Sequence, residues 1–400
     1  MPEMPETHAA WTRTLFLFSV AAAVTVSTIY LPQPMLANIA ADLGIEPTIA
    51  SIVATAAQAG YALGILLLVP LADRVHPRRQ VTVQSLLLAG ALVVSAFMPV
   101  VAAAAISFFA VGLVANIPQI LIPVANRLSP PDRKGATTGA LVGAILVGIF
   151  GGRIVAGVLV ELIGWRLVNV VFAILVLALL PFVRHALHVE LALEGAPRRY
   201  GRLLLSTLGL VRHSPVLVQT AASQFFIFAT FNSLWTVMVL HLTSEHYGWT
   251  VLGAGLFGAV GLAAGILVPF VGRYIDRYGA VRVAGVLLVG MLAAVASAIV
   301  DSTSIVAFAV SLFFATWANQ SVLSANQSRM MAANAGRTAQ ANTLFMFFVF
   351  LGGSLGAFLG PRAYDLGGMP LVAAQGSLFV LISLAIWAIS ARRNPTEVRI

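Results

Sequence analysis

PLADRVHPRRQV, residues 70–81, and GRYIDRYGAVRV, residues 272–283, are two copies of one short turn in a chain that otherwise avoids charge. Each follows a long apolar run, and each centres on an Asp-Arg pair, so that Asp73-Arg74 falls over Asp276-Arg277. A single charged turn of this kind is common. Its recurrence about half a chain later asks whether the whole sequence is a duplication.

Other pairs keep nearly the same spacing. ANR at 125–127 matches ANQ at 325–327, Gly151-Gly152 matches Gly352-Gly353, and ELIG at 161–164 matches DLGG at 365–368. Four matches at an almost constant offset are hard to obtain from composition alone. Two related halves in parallel orientation are a recurrent plan among secondary transporters.

Composition sets the class. Of 400 residues, 60% are hydrophobic and 9% charged, with a mean hydropathy of +0.95. A water-soluble chain of this size needs a surface near one-quarter charged. Apolar stretches of about 20 residues recur from end to end, each long enough to cross a bilayer as a helix. Alternating strands of about ten residues, the mark of a membrane β-barrel, do not occur. The chain has no cysteine, which removes disulfides and thiolate metal sites. The N-terminal MPEMPETHAAWTRT has no basic n-region and no cleavage signal. It reads as the lead-in to a retained helix.

Charges, Gly and Pro divide the sequence into twelve expected spans: near 14–41, 48–71, 80–98, 100–126, 135–160, 165–183, 215–241, 250–272, 281–299, 303–328, 338–360 and 370–391. The fold class is therefore an all-α membrane protein, with twelve transmembrane helices in two pseudo-symmetric six-helix bundles. The expected division is 1–183 for the N-terminal bundle, 184–214 for a central loop and 215–400 for the C-terminal bundle. Within the loop, RRYGRLLLSTLGLVRH mixes basic and apolar residues, as a surface-lying helix or a plain tether would.

The net charge of +9 is not a nucleic-acid signature, because the basic residues sit in short clusters between spans. Arg13, the 2–3 and 4–5 turns, the central loop, the 8–9 turn, Arg329, Arg337 and the tail fall on one face. The other face holds Arg166 and Arg362 against Asp42, Glu46, Glu161, Glu245, Asp301 and Asp365. The positive-inside bias puts both termini and the loop in the cytoplasm, which agrees with an even number of spans.

With these features together, the sequence resembles a transporter of the major facilitator superfamily over essentially its whole length. The family's loop motif, roughly G-x-L-A-D-R-x-G-R-R, is matched by Leu71-Ala72-Asp73-Arg74 and Arg78-Arg79. Val69 stands where the first Gly is usual, and His76-Pro77 replaces the second. The second copy keeps Gly272 and Gly279 with Asp276 and Arg277. A carboxylate there can sit against the positive N-terminus of a neighbouring helix, an interaction worth up to about 2 kcal/mol when partly buried. The resemblance implies that Asp73 faces Gly336–Thr338 and, by symmetry, that Asp276 faces Gly135–Thr137. Those contacts would latch the outward-facing state, with Arg74, Arg78 and Arg277 as gating neighbours. The alternative is that these charges only cap spans and hold orientation.

The fifth span, GALVGAILVGIFGGRIVAG, resembles the family's Gly-rich efflux signature without its usual Pro. Small residues there let a second helix approach closely. It also carries Arg153, about 27 Å along the helix at 1.5 Å per residue, in the outer third. A guanidinium at that depth needs an anion, carbonyl groups or water. Glu161, Asp42 and Glu46 are its candidate anions, with a fixed pair, an outer-gate latch and a substrate contact as alternative roles.

No Asp or Glu falls in an expected membrane core. Proton coupling would then use an end-placed group: Asp42, Glu46 or His241. Cationic substrates become unfavourable. What remains inside is uncharged: Tyr30 and Gln33 in span one, Gln58 and Tyr61 in span two, Asn116 and Gln119 in span four. The second half offers Gln224, Asn232 and Trp235, then Asn319 and Gln320, then Asn342. Amides in a bilayer are costly unless paired or facing a cavity. Interhelical ties account for some of them. The remainder, concentrated in spans 1, 4, 7 and 10 that line the cavity in the family, form the expected binding site.

The expected function is secondary active transport of a small neutral or weakly anionic molecule by alternating access, as proton-coupled efflux. Facilitative or proton-coupled import of a small solute is the alternative. The seven histidines are scattered over loops and ends, which argues against a membrane enzyme. No cofactor and no metal are expected. The partners are the substrate, the lipid bilayer and protons, not nucleic acid, for a multi-pass monomer of the cell inner membrane.

Overall fold

The computed structural model describes residues 8–187, 200–300 and 304–393. Parts of the central loop and both chain ends therefore lie outside the described residues, as does Asp301. The first half comprises α1 (His8–Ser27), α2 (Pro32–Leu43), α3 (Pro47–Leu68), α4 (Pro77–Ala96), α5 (Val101–Val114), α6 (Ile117–Leu128) and α7 (Lys134–Ala186). The linker helix α8 (Tyr200–His213) follows. The second half comprises α9 (Pro215–Leu242), α10 (Val251–Leu256), α11 (Gly258–Ile266), α12 (Val268–Tyr278), α13 (Ala280–Val300), α14 (Ile305–Ala333) and α15 (Thr338–Arg393).

The described residues contain 10 helices long and apolar enough to cross a membrane, counting bent stretches such as Trp11–Leu43 as one. Two of these are far longer than one crossing needs, and both break on glycine. α7 has a non-helical residue at Gly164, with φ 75° and ψ 158°. α15 breaks at Gly367 and Gly368, the latter with φ 63° and ψ −160°. A side chain at such positive φ is strained, so only glycine turns the chain there cheaply. Gly164 and Gly368 are the last residues of the repeated ELIG and DLGG segments. Both halves thus turn at the same point of the repeat.

Proline bends the first span where the sequence places its polar residues. Pro32 and Pro34 cannot donate to the carbonyls one helical turn back. The carbonyl of Tyr30 instead accepts from the Gln33 amide at 3.2 Å, and the helix restarts as α2. Span four parts in the same way between α5 and α6, where Asn116 takes φ −76° and ψ 21° just ahead of Pro118. In each case a backbone interruption carries an amide side chain into the protein interior.

Within each half, small residues bring the fifth helix of the repeat onto the first. A Cβ on Gly152 would collide with Ser27 of α1, and one on Gly353 would collide with Phe228 of α9. These contacts share an offset of 201 residues (353 − 152 and 228 − 27). The Gly-rich face of the fifth span is therefore a packing face against α1.

Between the halves, α7 meets α10 and α11, while α3 meets α15. Gly157 and Gly255 approach backbone to backbone. Glu161 Oε1 accepts from the Leu252 amide at 2.8 Å, and the Thr48 hydroxyl donates to Asp365. Ser354 Oγ donates to the Thr55 carbonyl at 3.1 Å. These ties lie on the side away from α8, called the far side here. On the linker side, residues 135–136, 139–140, 273–274, 276–278 and 335–337 are exposed. There α8 touches both halves: the Tyr200 hydroxyl donates to the Leu67 carbonyl, and Gln340 Nε2 donates to Ser206 Oγ at 3.2 Å. The segment expected as a surface-lying helix or a tether is a helix that touches both halves, with Thr207 and Leu210 buried and Leu205, Leu208 and Val211 exposed.

Candidate functional site

The break between α1 and α2 aims Tyr30 and Gln33 at the seam between the halves. Arg153, from the fifth span (the first part of α7), reaches the same point. Its Nε donates to Gln33 Oε1 at 2.9 Å, and its Nη1 donates to the Ile149 carbonyl at 2.9 Å. Gln33 is thereby oriented with its amide nitrogen toward the second half. That nitrogen donates to Asn232 Oδ1 at 3.1 Å and to Thr236 Oγ1 at 3.2 Å. A continuous chain of polar contacts thus runs from Arg153 through Gln33 into α9.

The guanidinium lies among aromatic faces. Its central carbon is 4.3 Å from the Tyr30 ring centre, 4.9 Å from that of Trp235 and 5.5 Å from that of Phe150. Trp235 is held in turn by its indole nitrogen, which donates to Thr316 Oγ1 on α14 at 3.0 Å. A desolvated cation over an aromatic face gains about 2 kcal/mol. The cost of burying a charge is several kcal/mol. Arg153 is only 1% exposed, and three aromatic faces and two hydrogen bonds stand against that cost.

The acidic partners expected for Arg153 are engaged elsewhere. Glu161 binds the Leu252 amide. Asp42 forms an ion pair with Arg166 at 2.8 Å and accepts from the Trp165 indole at 3.1 Å. Glu46 is exposed at the start of α3 and makes no side-chain cap. Nor does Arg153 open onto an outer vestibule. The physical reason is packing: the kink at Pro32 and Pro34 brings the Gln33 amide closer than any carboxylate of the 1–2 turn. Arg153 Nη2 has no hydrogen-bond partner among the described residues, nor has Asn232 Nδ2.

Five of the expected site residues therefore converge at the seam: Tyr30, Gln33, Arg153, Asn232 and Trp235. Gln58 is buried beside the Tyr30 hydroxyl, and Gln119 lies beside that of Tyr61. Tyr61 crosses the seam, its ring edge-on to Phe350 at 4.4 Å. The remaining amides tie helices within one half. Gln84 donates to Asn116 Oδ1 at 3.3 Å. Gln224 donates to Asn319 Oδ1 at 3.3 Å and accepts from Asn326 at 3.1 Å. Asn319 also donates to Gln320 at 3.2 Å, and Asn342 accepts from Gln327 at 2.7 Å.

The Asp276 arm of the linker-side latch is not formed here. Asp276 is exposed, and so are Gly135 and Ala136, two of its three expected partners. Thr137, the third, is buried and shares a hydrogen bond of 2.8 Å with Ser129. The side chain of Asp73 lies outside the described ones. Thr236, Phe150 and Thr316 belong to the seam cluster without having been singled out in the sequence. His241 is buried at the far end of α9, where its Nδ1 shares a hydrogen bond of 3.2 Å with the Tyr364 hydroxyl. Among the described residues, no group of three or more His, Asp and Glu side chains is placed to hold a metal.

Comparison with known proteins places this arrangement among relatives. The sequence matches the family described as Major Facilitator Superfamily over residues 16–258 and 220–399. A probable transporter of Streptomyces coelicolor, SCO4007, is 30% identical over 396 residues, spanning 94% of this chain and 87% of that protein. The transporter YgaY of Escherichia coli O157:H7 is 29% identical over 380 residues, spanning 93% of this chain and 94% of its own. Among solved structures, the nucleoside transporter NupG superposes with a TM-score of 0.75 at 12% identity. It covers 94% of this chain and 98% of its own, a likeness that speaks to the fold.

Proposed function

This chain belongs to the Major Facilitator Superfamily and is a multi-pass membrane transporter; from that premise we propose that it exports a small neutral or weakly anionic molecule in exchange for protons. The two halves, with six crossings each and the linker between them, tilt about the seam where Gln33 meets Asn232. The single observation that carries this reading is the polar chain Arg153–Gln33–Asn232, which joins the halves at the break between α1 and α2. A fixed helix bundle gains nothing from buried, partly unpaired amides and a buried cation. A site that is vacated and refilled in each cycle does.

In this reading the far side is the outer face, closed by Gly157–Gly255 and the α3–α15 contacts, and the linker side faces the cytoplasm. Substrate enters from the linker side and meets Tyr30, Gln33, Arg153, Asn232 and Trp235. Rocking then breaks the far-side ties and forms the Asp73 and Asp276 latches. Asp42 is already held by Arg166 and Trp165, and Glu46 is exposed outside the helices that meet at the seam; in this reading the buried His241 carries the coupling proton at the far end of α9.

Uptake and efflux in reconstituted vesicles, against a panel of solutes with and without a pH gradient, tests this. Flux that rises with the gradient is expected. Flux that ignores the gradient contradicts exchange with protons. His241→Gln is expected to abolish the gradient dependence while leaving downhill flux; an unchanged gradient dependence removes His241 from the coupling role.

A further inference from the structure

We propose that Arg153 is the docking site for the carboxylate of an organic monoanion, and that binding there releases the far-side seam. This deepens the transport reading above and rests on it.

The guanidinium has two edges at which a carboxylate docks with paired hydrogen bonds. On one edge, Nε and Nη2 point the same way. Nε donates to Gln33 Oε1, and Nη2 has no partner among the described residues. A carboxylate arriving at that edge takes the buried, unpartnered Nη2 with one oxygen and replaces the Gln33 carbonyl at Nε with the other. Nη1 keeps its bond to Ile149. The exchange turns a neutral acceptor into a charged one, which strengthens the contact roughly twofold.

Charge sets the valence of the ligand. Arg153 is the one fully buried cationic side chain among the described residues. One anionic charge neutralises it; a second would be stranded in the apolar interior. A cation is repelled. The surroundings set the body. Phe150, Phe231, Phe228 and Phe350 form a run of touching rings beside the guanidinium, reaching Tyr61. An apolar or aromatic body suits that wall.

The link to movement follows from Gln33. Its orientation is fixed because Arg153 holds its oxygen, which leaves its nitrogen to bridge to Asn232 and Thr236 across the seam. Once the carboxylate displaces that oxygen, nothing fixes the amide, and the two cross-seam bonds weaken. Ligand binding and opening are then the same event.

The experiment uses the purified full-length chain with benzoate as probe and benzamide as its uncharged counterpart. The chain has no cysteine, so Thr48→Cys with Asp365→Cys reports closure of the far side by disulfide yield. Benzoate is expected to raise the thermal midpoint and lower that yield, and benzamide to do neither. Arg153→Gln is expected to weaken benzoate by about tenfold or more. Gln33→Glu supplies an internal carboxylate and is expected to abolish the benzoate response, which keeps a test available if Arg153→Gln does not fold. No benzoate response in the parent chain, equal responses to benzoate and benzamide, or a benzoate response untouched by either variant would each overturn the proposal. Flux of some solute without any benzoate response defeats this site alone. A benzoate response without flux of any solute defeats the transport reading alone.

Discussion

At the scale of single residues, Arg153 holds Gln33 through Nε and leaves Nη2 buried without a partner among the described residues. Lysine retains the charge but has neither the planar fork nor the stacking surface. Arg153→Lys is therefore expected to lower vesicle flux by about tenfold or more, close to Arg153→Ala. Normal flux in both variants would remove Arg153 from the mechanism. Part of this site was legible in the sequence, because an amide or a cation in an apolar span is costly and so stands out. Gln33, Asn232 and Arg153 were found in that way, and Tyr30 and Trp235 as polar neighbours in the same spans. The partner of Arg153 was not, because charge invites pairing with a carboxylate, while the Pro32–Pro34 bend brings an amide closer. Thr236 and Thr316 were hidden for another reason: a hydroxyl in a helix commonly satisfies itself on its own backbone, so nothing marks the ones that reach across.

At the scale of elements, glycine decides both where helices turn and how closely they approach. Gly164 and Gly368 sit at positive φ in matching positions of the two halves. Gly164→Ala and Gly368→Ala are each expected to cost about 1–2 kcal/mol, read as a lowered thermal midpoint. An unchanged midpoint would show that the turn has another source. Gly152→Val meets Ser27 rather than a backbone strain, and the overpacking is expected to cost about 1–3 kcal/mol. The repeat made these elements readable, since the glycine pairs recur at nearly the same offset, 204 residues for Gly164 and Gly368 (368 − 164) and 201 for Gly152 and Gly353 (353 − 152). Span edges were less so. The pieces α10, α11 and α12 read as one apolar run, because the departures at Phe257 and Leu267 stay within the helical region of backbone space. The contacts of α8 were not readable either: its basic and apolar residues fit a surface helix or a tether, and neither pattern foretells the bonds to Leu67 and Gln340.

At the scale of the whole molecule, the halves are tied to each other on the far side. Residues such as Asp276 on the linker side are exposed, and the proposed transport cycle makes Gln33–Asn232 the fulcrum. Closed far-side contacts and an unmade Asp276 latch belong to one end of a rocking cycle. The other end should be reachable by weakening the fulcrum alone, without any ligand. The direct measurement is a pair of spin-label distances in the full chain, one between Thr48→Cys and Asp365→Cys on the far side and one between Gly135→Cys and Gly272→Cys on the linker side, each with and without Gln33→Ala. Rocking predicts that Gln33→Ala lengthens the first distance and shortens the second. Distances that both stay fixed, or that change in the same direction, would contradict it.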